Sequence, residues 1–229
     1  MQPGTRSARE VLVDRNRVVA KTQAYVRDQC EGEASGHDWW HVHRVWRTAM
    51  QIGSEEGADL FIVQLAALLH DVADAKFHDG DEEIGACTAA VWLRTLEVDE
   101  PTIAHVAEII RDLSFKGAGV PTPMPTREGM VVQDADRLDA LGAIGTARAF
   151  AYGGSQGRML YDPEAAPVLH ATLGAYRSHR GSTINHFFEK LLLLKDRMNT
   201  ESARRIAGER HQFLEDFLRQ FFAEWDGQA

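Results

Sequence analysis

One stretch constrains this chain more than any other. Residues 60–69 read Leu-Phe-Ile-Val-Gln-Leu-Ala-Ala-Leu-Leu, apolar except for Gln64, and the run stops at His70-Asp71. A helix that is apolar almost all the way round belongs in a core. Burying a charged group is costly unless it is paired or bound to a metal. A core helix that ends in an imidazole and a carboxylate side by side therefore points to a divalent cation, with its other ligands drawn from elsewhere. Adjacent helical residues point about 100° apart, so His70 and Asp71 do not share a helix face. A long imidazole and a short carboxylate can still converge on an ion between them.

The rest of the chain reads as helices. Val11, Leu12, Val18, Val19, Tyr25 and Val26 have amphipathic spacing from Ala8 to Cys30, behind a loose tail at residues 1–7. Asp38 is placed to cap a second helix with Trp40, Val45, Ala49 and Ile52 inward. A helix from about Glu82 to Leu96 carries Ile84, Cys87, Val91 and Leu93, and Asp99 with Pro101 starts the next. Pro121, Pro123 and Pro125 forbid helix within Gly117 to Gly129, which is either a lid or an exposed connection. A helical run follows from Met130 to about Tyr152. Ser182 is placed to cap a helix from Asn185 to Met198. Thr200 is placed to cap the last, with Ile206, Phe213, Leu214, Phe217, Phe221 and Trp225 facing a core. With no period-2 run of strand length, the expectation is a single all-α domain.

Composition narrows the partners. The net charge of −9 argues against a broad nucleic-acid surface. It leaves room for a small phosphate-bearing substrate, because a cation and a few local Lys or Arg reverse the field inside one pocket. There is no secretory pattern and no apolar stretch of about 18 residues, so a cytoplasmic protein without a membrane partner is expected. Cys30 and Cys87 lie far apart and read as reduced thiols.

A cation at His70-Asp71 needs more donors. His41 comes from the preceding helix, and Asp136 sits beside Asp134 and Asp139 near the head of a later one. Two histidines with two aspartates suit Mn, Fe, Zn, Co or Ni and, with more open positions, Mg. Spacing alone does not choose among the acids. His37-Asp-Trp-Trp-His41 superficially mimics the His-Glu-x-x-His zinc protease motif. Its acid is one methylene too short, and that reading leaves His70-Asp71 unexplained.

His41-Val-His-Arg44-Val45, Leu68-Leu-His70-Asp71 and Asp134-Ala-Asp136-Arg-Leu138 together resemble the HD-domain superfamily of metal-dependent phosphohydrolases. The longer strings Gly36 to His41, His70 to Phe77, Gln133 to Gly142 and His186 to Leu192 are similar to a bacterial HD subgroup of nucleotide pyrophosphohydrolases. The resemblance implies an HD helical bundle over about 36–150, with C-terminal helices at about 182–226 packed on it. It selects Asp136 from the acids and implies His41, His70, Asp71 and Asp136 as ligands of a divalent ion, Mn favoured. It further implies a nucleotide substrate, cleaved from nucleoside triphosphate to monophosphate and pyrophosphate by a metal-activated water. Asp74 falls where similar HD phosphohydrolases carry an acid that holds or deprotonates that water. Lys76, Lys116 and Lys190 are the candidates for substrate phosphates, acting as point charges. His78 and His186 are candidate proton donors, His37 and His105 candidate ligands of a second ion, and Trp39 and Trp40 candidate stacking partners for a base. Arg44 reads best as an ion-pair partner. The alternatives are a 5′-nucleotidase or another HD phosphomonoesterase or phosphodiesterase, and a non-catalytic nucleotide sensor.

Overall fold

The structure is a computed structural model that describes residues 14–30, 38–73 and 83–228. The expected tail at 1–7 lies outside these residues. The described residues form ten α-helices and no strand. In chain order they are α1 (Arg15–Gln29), α2 (Trp39–Glu56), α3 (Leu60–Leu69), α4 (Glu83–Thr95), α5 (Glu100–Asp112), α6 (Arg127–Asp139), α7 (Gly142–Ser155), α8 (Leu173–Ser178), α9 (Thr183–Glu189) and α10 (Glu201–Trp225). None is long and apolar enough to cross a membrane.

The apolar run is the central element. Leu65, Ala66, Ala67, Leu68 and Leu69 have no exposed surface, and α3 is packed by α1, α2, α5 and α6. Each buried leucine contributes about 1.5–3 kcal/mol of transfer free energy, so the last turn of α3 is firmly anchored in the core. Side-chain caps set the helix starts. Asp38 Oδ1 accepts from the His41 N–H at 2.9 Å, and Asp59 Oδ1 accepts from the Phe61 N–H at 2.8 Å. Thr126 caps α6, Ser182 caps α9 and Thr200 caps α10.

Several sequence expectations are corrected. The helix expected from Met130 begins three residues earlier, because Thr126 Oγ1 accepts from the Gly129 N–H. The run to Tyr152 is two helices, broken at Gly142, whose φ of 70° a residue with a side chain adopts at a cost. The helix expected from Asn185 to Met198 stops at Glu189 and continues as two single 3-10 turns. Trp40, Val91, Phe213 and Trp225 are exposed rather than core, since helical periodicity fixes a face only to within one neighbouring position. The proline segment is a connection with Pro121, Pro123 and Pro125 exposed, tied to its neighbours by hydrogen bonds. Gln133 Nε2 donates to the Leu113 and Thr122 carbonyls, Arg137 Nη2 to Thr122 Oγ1, and Arg197 to the Gly117 and Ala118 carbonyls.

The C-terminal helices are joined to this core through a buried acid. Asp134 accepts from the Asn199 N–H, the Thr200 N–H, Thr200 Oγ1 and Asn199 Nδ2, all at 2.8–2.9 Å. Removing the acceptor strands buried donors, at about 1–3 kcal/mol for each group left unsatisfied. Asp134→Ala should therefore cost about 2–4 kcal/mol and lower Tm by roughly 5–15 °C. A urea titration with thermal melts measures it, and a shift under about 2 °C would mean that the apolar face of α10 alone holds it.

Candidate metal centre

Three helices aim side chains at one point. His41 lies in the first turn of α2, His70 caps the C-terminus of α3, Asp71 follows in the turn, and Asp136 projects from α6. His41 Nε2 is 3.2 Å from His70 Nε2, 3.4 Å from Asp71 Oδ2 and 3.6 Å from Asp136 Oδ1. His70 Nε2 is 3.9 Å from both Asp71 Oδ2 and Asp136 Oδ1. The four sequence candidates thus converge. His70 keeps helical dihedrals at the end of α3, and the long imidazole and the short carboxylate of Asp71 still reach the same point from adjacent positions.

The tautomers follow from the outer contacts. His70 Nδ1 lies 2.9 Å from the Ala67 carbonyl, which only accepts, so Nδ1 carries the proton. His41 Nδ1 lies 2.7 Å from Asp139 Oδ2. Asp139 also takes Arg44 Nε at 2.7 Å, Arg44 Nη2 at 3.0 Å and Arg148 Nη1 at 3.1 Å. Burial pushes the Asp139 carboxyl up, yet the hydrogen bonds of His41 and Arg44 outweigh it and hold Asp139 well below the usual carboxylate range. His41 Nδ1 is therefore a donor. Both Nε2 lone pairs then face each other beside two carboxylate oxygens, an arrangement that repels unless a positive charge sits between them. Burial pushes the His41 imidazole down, but its hydrogen bonds to Asp139 and Asp71 win and raise it to about 9. Burial likewise pushes Asp136 up, while the charges of His70 and His41 pull it below its ordinary value. In the protein alone a proton supplies the positive charge. Two imidazole nitrogens and two carboxylate oxygens at these separations also suit one divalent ion with bonds of about 2.0–2.2 Å. A carboxylate behind a ligating histidine is the usual device for fixing its tautomer.

Next to this cluster lies a cleft of about 290 Å³, lined by His70, Asp71 and Asp136 together with basic side chains. Lys116 and Lys190 line it as the sequence reading requires, and so does His186. Arg148 and Arg158 also line it, and no motif singled them out. Asp139 was set aside in favour of Asp136, although its place one helical turn further along α6 was a signal that the two share a face. Arg44 is the expected ion-pair partner. His105 instead pairs with Thr126 Oγ1 at 2.9 Å, and neither it nor Trp39 nor Trp40 lines the cleft. Asp74, Lys76, His37 and His78 lie outside the described residues.

The HD-domain family model matches residues 39–141, which include all four converging residues. YpgQ of Bacillus subtilis strain 168 is 42% identical over 199 residues, covering 86% of this chain and 89% of YpgQ. The chain belongs to the HD family. Among solved structures, this HD protein is similar to a Lactobacillus plantarum protein at 39% identity and a TM-score of 0.81, covering 92% and 98% of the two chains. It is also similar to an HD-superfamily hydrolase of Bacillus thuringiensis at 44% identity and a TM-score of 0.72, covering 93% and 100%. YpgQ solved in complex with ADP aligns with a TM-score of 0.72 at 38% identity, covering 92% and 100%. This HD protein is thus a member of a hydrolase superfamily whose domains bind divalent metals, and its His/Asp cluster has the donors for one.

Two measurements test the centre. A His41 pKa near 9 lies above the free value of about 6.5. The proton's contribution to the metal-free protein is therefore complete below about pH 6.5 and is lost as pH rises through about 9. Melts in chelator should fall over that window, and metal affinity should rise about tenfold per pH unit as the cation displaces one proton. A flat profile in both would remove His41 from the centre. Asp139→Asn should weaken metal binding by about 10–100-fold with the fold retained, as read by calorimetric titration.

Proposed function

We propose that this HD protein is a divalent-metal-dependent phosphohydrolase that cleaves nucleoside triphosphates to monophosphate and pyrophosphate. The observation that carries the reading is the convergence of His41, His70, Asp71 and Asp136 beside a cleft walled by lysine and arginine, in a chain that is otherwise acidic. The ADP complex of YpgQ supports a nucleotide as the occupant.

His41, His70, Asp71 and Asp136 would hold the ion, Mn²⁺ by family likeness. A divalent ion there supplies Lewis-acid polarisation of the phosphoryl group and a more acidic water. Asp74, three residues beyond Asp71, takes the proton of the attacking water. The water oxygen forms its bond to the α-phosphorus as the bond to the bridging oxygen breaks, and pyrophosphate departs as an anion that needs no proton. Lys76, Lys116 and Lys190 meet the charge on the phosphates, and Arg148 and Arg158 line the cleft beside Lys116 and Lys190. His41 is held in its ligating tautomer by Asp139, which Arg44 and Arg148 keep ionised.

The test is incubation with Mn²⁺ and a panel of nucleoside tri- and monophosphates and cyclic nucleotides, with phosphate and pyrophosphate assayed separately. Pyrophosphate from triphosphates is expected. Orthophosphate from monophosphates would replace this reading with a 5′-nucleotidase, and tight nucleotide binding without turnover would replace it with a sensor. Asp71→Ala should lose turnover together with the ion held at the His41–His70–Asp71–Asp136 cluster. Asp74→Ala should keep the metal and lose about 10²–10⁴-fold in rate, whereas near-normal turnover would remove Asp74 from the proton transfer.

A further inference from the structure

A second set of ligating side chains faces the same cleft. His170 lies in the segment before α8, His179 is the residue after α8, and Glu189 ends α9. All three line the cleft wall. One ligand atom from each lies within 4.8 Å of the others. His179 Nε2 is 3.1 Å from Glu189 Oε1, and the rings of His170 and His179 have centroids 4.6 Å apart.

Three observations set this cluster apart from a chance ion pair. His170 is 6% exposed, and its Nε2 is buried with no hydrogen-bond partner. A buried polar atom left in that state costs free energy unless something occupies it. Glu189 is a carboxylate only 4% exposed, and the ion pair found for it is with a histidine, a residue that is neutral in its ligating form. Its Oε1 also accepts from the Val168 N–H at 3.0 Å, which orients the carboxylate as an outer contact does behind a metal ligand. Finally, the chain passes this point at Gly181. A Cβ there would sit 2.6 Å from His179 Nε2 and 3.3 Å from Glu189 Oε1. Glycine is what leaves those donor atoms uncovered.

We propose that His170, His179 and Glu189 form a second divalent-cation site. Two imidazoles and one carboxylate favour a zinc-class transition ion, with the remaining positions open to water or to an oxygen ligand in the cleft. An ion here places positive charge on a cleft wall away from the His41–His70–Asp71–Asp136 cluster, where it draws phosphate oxygens. That second role rests on the phosphohydrolase reading; cation binding does not.

The experiment is metal stoichiometry on the full chain. Chelator-stripped protein is titrated with Zn²⁺ by calorimetry, and bound zinc is measured by elemental analysis after gel filtration. Wild type should bind two equivalents and Asp71→Ala one, and the remaining one should disappear in Asp71→Ala combined with His179→Ala. Co²⁺ loaded into Asp71→Ala should give a visible absorption band, which Glu189→Gln added to it should weaken. Circular dichroism checks each fold, and Zn²⁺ and Co²⁺ uptake by Asp71→Ala alone leaves the proposed site unmutated. A folded Asp71→Ala protein that takes up neither Zn²⁺ nor Co²⁺ would overturn the second site whatever happens at the first. So would a second equivalent that persists after His179→Ala. Loss of one equivalent in His179→Ala with turnover unchanged would keep the cation and remove its link to phosphate.

Discussion

The Asp139 carboxylate is the contact on which the centre depends. It joins α2 through His41 and Arg44, and α7 through Arg148, while itself belonging to α6. A carboxylate so deeply buried is tolerable only because two guanidinium groups and an imidazole N–H surround it. In return it fixes which nitrogen of His41 faces the cluster. Without that constraint the His41 ring has two tautomers, and only one presents a lone pair to His70, Asp71 and Asp136. The apolar packing of α3 performs the matching task for the other histidine, since the Ala67 carbonyl that accepts the hydrogen bond from its Nδ1–H belongs to the helix's own last turn.

Much of this was legible in the sequence, for physical reasons. Caps were readable because Asp38, Ser182 and Thr200 act locally, on N–H groups three residues away. The core helix was readable because a run without polar positions has no surface face. His41, His70, Asp71 and Asp136 were found through a family likeness, and the structure brings their ligand atoms together. Asp139 was not found, because its importance comes from contacts with His41 and Arg44, far away in sequence, and Arg148 and Arg158 sit in no motif and reach the cleft only through the fold. Trp40 and Val91 were misplaced because a periodic pattern marks a stripe wider than the true contact.

The third of the chain after α7 carries weaker local signals. One short helix, α9, and two single 3-10 turns replace the long helix that the pattern suggested. Their position is set by tertiary bonds: Asp134 to Asn199 and Thr200, Arg197 to the proline segment, and the Gly119 N–H to the His170 carbonyl at 3.0 Å. The proline segment is therefore a strut between the core and the region that supplies Lys190, His179 and Glu189 to the cleft.

Exposure around the cluster is graded. The side chains of His41 and His70 are 1% and 2% exposed, Asp71 is 11% exposed, and Asp136 is 32% exposed. The two imidazoles are sealed into the protein, while the carboxylates, Asp136 above all, are the open side of the centre. Such a geometry keeps the histidines from solvent and presents the acids to the cleft. It also leaves the choice of molecule to the cleft walls, where one fold can be re-specified while the centre stays unchanged.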